Sequence, residues 1–322
     1  MRHRKAPSEL ASAPPPIVSG RWLLAAVGMA LVGAAICAWA TLCLLFWQGS
    51  WQLLYHPTAA VTRTPANLGM AFDPVRFATT DAGEPRLTGW WIPAAPAAPF
   101  SSYTVLYLHG QNGNMSDTLS ALETLHDVGL NVLAFDYRGF GQSQFVHPSE
   151  VHWRQDAEWA LDYLTGTRHI NPHDLVLNGI GLGANLALKI AAAHPELAGV
   201  VLESPLQSPV SAIFRDARAR MVPAHTLVLD RYDLNQPAAN LRIPSLWLLA
   251  TPPPEHAGTA ERPGAFEKVT APKTLVWLTA SPDRQKDYAD AFSRWLDGLP
   301  GHDSKGQTAP SASDSPVVSP HP

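Results

Sequence analysis

With 322 residues and a formal net charge of −4, the chain can hold one α/β domain of roughly 200–250 residues plus appendages, and its mild charge gives no electrostatic reason to expect nucleic acid. Charged residues make up 16%, against a typical value of about 25%, while 46% are hydrophobic, so a membrane segment or an unusually apolar core is expected. The only cysteines, Cys37 and Cys43, fall in one apolar stretch, which leaves the rest of the chain without a disulfide or a thiolate metal site.

Residues 1–21 read as a disordered basic leader, with Arg2, Arg4, Lys5 and Arg21 around a Pro/Ser/Ala-rich middle. From Trp22 to Trp51 no residue is charged. About 20 apolar residues cross a bilayer core, so residues 22–51 are long enough for a transmembrane anchor. Trp22, Trp47 and Trp51 lie near its ends, where interfacial aromatics are favoured. A cleaved signal peptide is the rival reading, but its apolar core should run only about 7–15 residues. Four basic residues precede the run and only Arg63 follows closely. The positive-inside rule then puts the N-terminus in the cytoplasm and the main domain on the far side, periplasmic or extracellular.

Residues 52–299 alternate strand and helix patterns. VRFATT and LTGWWIPA suggest an antiparallel opening pair around a turn at DAGEP. TVLYLHG, NVLAFDY, DLVLNGI, AGVVLES, PSLWLLA and KTLVWLTA are short apolar runs, as strands covered on both faces should be. Trp153, Ala157, Ala160, Leu161 and Leu164 recur at the helical period, and a helix at 284–298 carries Tyr288, Phe292, Trp295 and Leu296 on its inner face. The alternation predicts a mostly parallel sheet with helices on both faces. Residues 300–322 form a polar, Pro/Ser-rich tail that cannot bury enough apolar surface to order itself.

The stretch DLVLNGIGLGANLAL, residues 174–188, runs a buried strand into a glycine-rich turn and a helix. Two chemistries use that layout. A nucleophile elbow, G-x-S-x-G, needs serine at position 181. A dinucleotide fingerprint, G-x-G-x-x-G/A, is met by Gly179, Gly181 and Ala184, with Glu203 ending the next strand. Against the second, two strand–helix units precede the motif, whereas the fingerprint usually lies on the first strand of its unit.

The motif order resembles the α/β-hydrolase superfamily, in its membrane-anchored branch of small serine hydrolases related to serine aminopeptidases and depalmitoylases. The match is carried by YHP at 55–57, LYLHGQNGN at 106–114, FDYRGFGQS at 135–143, LNGIGLGANLAL at 177–188 and LESPLQS at 202–208. The resemblance implies an α/β-hydrolase fold and acyl transfer by a serine, a histidine and an acid, with backbone N–H groups holding the oxyanion. It places those N–H groups at Gln111 and Leu182, beside His109 and Gly110. HGQNGN also reads as a tight glycine turn with asparagine caps for the following helix. By the same resemblance the three triad positions fall on Gly181, Pro253 and Asp283, none of which can serve its role. Between Asp233 and Asp283 there is no aspartate, and His256 is the only histidine there.

The chain is therefore expected to be a membrane-anchored, non-catalytic member that binds a small acyl ligand or a protein partner, without cofactor or metal. Two alternatives stay open. One is dinucleotide binding through GIGLGA. The other is a displaced nucleophile at Ser116, Ser143 or Ser204, with His109 or His256 as base and Glu255 or Asp283 as orienter. Histidines 169 and 173 flank Asn171 and Pro172, which argues for a loop and against a metal-binding helix. A lid-like segment at 205–240 contains RDARARM, whose charges read as a solvated helix face.

Overall fold

The computed structural model of the protein describes residues 19–251, 262–279 and 283–299. Two strands open the sheet as an antiparallel pair: β1 (Asp73–Thr79) and β2 (Pro85–Ile92), with Asp73 opposite Trp91 and Thr79 opposite Pro85. Six more strands follow: β3 (Thr104–Leu108), β4 (Asn131–Asp136), β5 (Leu175–Ile180), β6 (Gly199–Glu203), β7 (Ser245–Ala250) and β8 (Lys273–Leu278). Across the sheet the order is β8-β7-β6-β5-β3-β4-β2-β1, and β3 to β8 are mutually parallel. Every residue of β3 and β6 is buried, so the continuous apolar runs reflect cover on both faces.

That cover comes from helices. α3 (Glu150–Asp162) and α4 (Leu182–Ala193) pack on one face through Trp153, Leu161, Leu186 and Ile190. On the other face, α2 (Leu119–Val128) and α5 (Arg284–Asp297) bring Leu122, Leu125, Phe292 and Leu296. Each such side chain contributes roughly 1.5–3 kcal/mol when fully withdrawn from water. α4 is rich in alanine and leucine, strong helix formers, and seven of its apolar side chains are buried alongside Gly183 and Asn185.

α1 (Gly20–Gly49) opens with Ser19, whose hydroxyl accepts from Trp22 N at 3.3 Å, and passes into a single 3-10 turn at Ser50–Leu53. Its start and end lie two residues before those of the apolar run read from the sequence. Most of its side chains are exposed, and Phe46 is buried. The helix is long and apolar enough to cross a membrane, a property that an N-terminal signal sequence shares.

Residues 205–240, between β6 and β7, form a lid of short pieces whose Ile213, Val228, Tyr232 and Leu234 pack in one core with α3 and α4. RDARARM is not one helix face. A helix at Ser211–Arg215 stops at Asp216, whose backbone turns extended and whose carboxylate caps the next turn, Ala217–Arg220, by accepting from Arg218 N at 2.9 Å. Aspartate competes with the helix for the local N–H groups, and here it wins. Two polar anchors hold the lid down. Asn185 of α4 bonds Leu206 through both its amide atoms and also donates to Tyr232 O. Glu150 of α3 accepts from Lys189 Nζ, Arg231 N and Tyr232 N.

Candidate functional site

The turn after β5 decides what this site can do. Gly181 takes φ +57° and ψ −120°, and α4 begins at the next residue. The neighbouring glycines serve packing. A Cβ on Gly179 would lie 2.3 Å from Gly183 O, and one on Gly183 would lie 2.2 Å from Leu108 O, so helix and strands touch backbone to backbone. Gly181 is different. Among the described residues a Cβ there would meet only Gln111 Oε1 within 4 Å, at 3.3 Å, and that atom ends a flexible side chain. Glycine at 181 therefore answers to the positive φ and not to a lack of space.

Gln111 sits opposite. Its Oε1 accepts from Leu182 N at 3.3 Å, so the first N–H of α4 is capped by a side-chain carbonyl. The loop that carries it is clamped from two sides. His56 and Pro57 run parallel to Asn112 and Gly113, and His56 N donates to Gln111 O at 2.8 Å. Asn114 then caps the turn Met115–Thr118, reciprocally with Asp117, and its amide donates to Thr58 and Ala60. The YHP stretch thus has a local task on both sides: Tyr55 OH donates to Asp230 of the lid, while His56 and Pro57 brace the Gln111 loop.

His109 points away from this turn, into the core. Its ring lies among Tyr137, Phe140 and Trp153, its Nδ1 bonds Gly110 O at 2.8 Å, and its Nε2 approaches Asp136 Oδ1 to 3.5 Å without forming a hydrogen bond. Burial lowers the imidazole to about 4, against which the Gly110 carbonyl works. Burial likewise raises Asp136 to about 7, although Met115 N donates to it at 2.7 Å. FDYRGFGQS is largely structural as well. Tyr137 stacks on Trp153 at 4.0 Å, and Arg138 pairs with buried Asp156.

The candidate serines divide. Ser116 Oγ donates to Asn114 Oδ1, and Ser143 Oγ donates to Asp136 O while accepting from Thr88 N, so both hydroxyls are committed to loop structure. Ser204 stands at φ +47°, an uncommon conformation for a residue with a side chain, directly after β6. Among the described residues no histidine ring nitrogen bonds a serine hydroxyl. Pro253, Glu255 and His256 lie outside the described residues.

Asp283 is the N-cap residue of α5, and Arg284 beside it donates to Glu203 Oε1 at 2.8 Å. This ion pair closes one wall of a cavity of ≈ 300 Å³ between α2 and α5, which Tyr107, Ile180 and Tyr288 also line, and among the described residues no histidine lines it. Tyr288 OH accepts from Asn178 Nδ2, and Asn178 Oδ1 is buried without a partner. Burial raises the phenols of Tyr107 and Tyr288, which keeps both as neutral donors. The sequence marks Glu203 as a motif residue and Tyr288 only as an inner-face residue of the last helix, and it gives Arg284 and Tyr107 no role. The available signals were an asparagine inside the buried strand LVLNGI and an arginine opening the last helix. His169 lies in a loop at φ +56°, and among the described residues no group of three His, Cys, Asp or Glu could hold a metal. At the turn Gln111 Oε1 accepts from Leu182 N, an N–H that a pyrophosphate would need, so the dinucleotide reading requires that side chain to swing aside.

The family model "Serine aminopeptidase, S33" matches residues 101–290. The uncharacterized protein Rv2307c of Mycobacterium tuberculosis is 31% identical over 205 residues, 63% of this chain and 69% of its own. The uncharacterized protein YfhR of Salmonella typhi is 32% identical over 222 residues, covering 64% and 72%. Among solved structures, the Pyrococcus furiosus esterase Pf2001 superposes with a TM-score of 0.55 at 18% identity, over 76% of this chain and all of that one. An alpha-beta hydrolase from Vibrio vulnificus gives 0.55 at 23%, over 72% and 83%.

Proposed function

Given that the chain belongs to the serine aminopeptidase S33 family and has the α/β-hydrolase fold, we propose that it is a membrane-anchored member that does not catalyse acyl transfer and acts by binding. One observation carries this reading: at the strand-to-helix turn where the family places its nucleophile, Gly181 holds φ +57° and offers no side chain to attack or to be acylated. Two others support it. The start of α5 presents Asp283 and Arg284, with Arg284 tied to Glu203. Leu182 N–H, the donor that would hold an oxyanion, is already engaged by Gln111. The ligand is a small acyl compound or a segment of a partner protein, taken between the Gln111 loop and the lid. α1 remains attached as a single-pass anchor, with the leader cytoplasmic and the globular domain on the other side.

A fluorophosphonate probe tests the reading, since it reports any activated serine. The full-length protein should stay unlabelled and should not hydrolyse p-nitrophenyl esters. Labelling would refute the non-catalytic reading. Its loss in Ser204→Ala would then assign the nucleophile to the one candidate serine with a strained backbone.

A further inference from the structure

The end of α1 is where the globular domain meets whatever surrounds the helix, and its surface there is unlike the rest. Outside α1, five large apolar side chains are exposed among the described residues: Leu68, Phe145, Val151, Met221 and Leu229. Leu229 and Phe145 lie by the C-terminal end of α1, Val151 is next to the wall of the pocket there, and Met221 meets the helix earlier, at Trp39. Leu229, 75% exposed, lines a pocket of ≈ 390 Å³ whose walls include Trp47, Trp51 and Val228. Phe145, 78% exposed, packs on His147, which stacks on Trp51 at 5.0 Å. Val151 sits between Glu150, bonded to Asp230, and His152, on the pocket wall. Met221 is placed by its carbonyl, which accepts from Trp39 Nε1 at 3.1 Å. A clustered apolar patch of this kind marks an interaction site, whereas singly scattered exposed residues need no explanation.

Helix length says what the patch meets. α1 has 30 residues. At about 1.5 Å per residue it is ~45 Å long, while the hydrocarbon core is about 30 Å thick and is crossed in about 20 residues. Counted from Trp22, the first residue past Arg21, the core ends near Thr41. Met221 touches the helix at Trp39, which is that level. The last turns of α1 therefore rise through the headgroup zone with the lid against them, Met221 at the level of Trp39 and Leu229 at that of Trp47, about 12 Å further along the helix. Its charge suits the location. Arg215, Arg218, Arg220 and Arg231 stand on this segment against Asp216, Asp230 and Asp233, and Arg218, beside Leu42, Leu45 and Phe46, is paired with Asp216 at 2.9 Å.

We propose that this face of the lid is a docking surface for the leaflet that α1 leaves, with Met221 and Leu229 immersed at the interface and the arginines toward anionic phospholipid headgroups. The pocket beside Trp51 then opens onto lipid and not onto water. This rests on the reading of α1 as an uncleaved anchor. Basic side chains flanking an apolar face are the arrangement by which surface-lying segments hold to anionic bilayers.

Site-directed spin labelling of the full-length chain in phosphatidylethanolamine/phosphatidylglycerol nanodiscs tests it, in a Cys37→Ala, Cys43→Ala background so that each label is unique. Nitroxides at Leu229→Cys and Met221→Cys should be relaxed several-fold more by oxygen than by a water-soluble nickel chelate, as should one at Leu31→Cys in α1. A label at Asp127→Cys, on the far face of the sheet, should show the reverse. Chelate preference at 221 and 229 with oxygen preference at 31 overturns the docking surface and leaves the anchor standing. Chelate preference at 31 as well overturns the anchor and the surface together. Spin–spin broadening at 229 assigns the patch to a second copy of the chain and overturns the proposal. Equal immersion in nanodiscs of phosphatidylcholine alone overturns the part assigned to the arginines.

Discussion

Gly181→Ala and Gly183→Ala add the same methyl group two residues apart and meet different physics. At 183 the new Cβ collides with the carbonyls of Leu108 and His109, neither of which can move without breaking the sheet. Alanine gains about 1 kcal/mol of helix propensity there, but overpacking against backbone should cost more than about 3 kcal/mol. At 181 only backbone strain opposes the change, about 1–2 kcal/mol. Chemical denaturation of the two variants should rank them in that order. Gly181→Ser should therefore fold, yet esterase activity should not return. A serine hydroxyl is a poor nucleophile without a base in reach, and general-base help alone is worth roughly 10²–10⁴ in rate. Robust ester hydrolysis by this single variant would mean that a base waits in the site. The His109–Asp136 contact makes a pH prediction. Asp136 is raised to about 7, so between about 4 and 7 the folded state binds the extra proton and this group's contribution to stability falls as pH rises. His109 is lowered to about 4, so up to about 6.5 the unfolded state binds the extra proton and stability from this group rises. The two slopes oppose each other. Asp136→Asn removes one of them, so its midpoint relative to wild type should climb from pH 4 to 7 in denaturant titrations.

At the scale of elements, the lid depends on few bonds. The Glu150 carboxylate is pushed up by burial but held below the usual range by Lys189 and the N–H groups of Arg231 and Tyr232. Its contribution is present above the normal carboxylate pKa and lost as pH falls through the depressed value. Glu150→Ala leaves those donors unpaired and should cost about 3 kcal/mol, with new proteolytic cleavage between residues 205 and 232 as the readout. The strands and long helices were legible because their cores impose period and length: all eight strands lie on the apolar runs, and α5 lies on the 284–298 stripe. The lid was not legible. Its short pieces are set by side chain–backbone bonds such as Asp216 to Arg218 N, which leave no periodic trace. His109 follows a strand beside the glycine turn, so the sequence offers it as a pocket residue or a base, and nothing local announces that Tyr137, Phe140 and Trp153 enclose it. The Arg284–Glu203 pair spans 81 positions and could not be read from spacing at all.

The whole molecule makes an orientation prediction. Four basic residues before the apolar run and one soon after it predict a domain outside the cytoplasm if α1 is an uncleaved anchor. A compartment-sensitive enzyme fused after residue 299 should be active only on that side, and the chain should keep its first residues. Activity in the cytoplasm would reverse the orientation, and an N-terminus found near residue 40 would identify α1 as a removed signal.

The carbonyl of Gln111 lies on Leu182 N–H, and it is tethered there by its own loop. A tethered group acts at an effective concentration of millimolar or more, whatever is in solution. Any incoming carbonyl must displace it, so the apparent affinity of such a ligand is discounted by the fraction of molecules in which the side chain has swung aside. In the proposed binding role, Gln111 would set a threshold below which weak carbonyl compounds leave the protein unoccupied. Removing the competitor in Gln111→Ala should tighten binding of simple amides such as acetamide without adding a contact, seen as an earlier saturation of the Leu182 amide resonance.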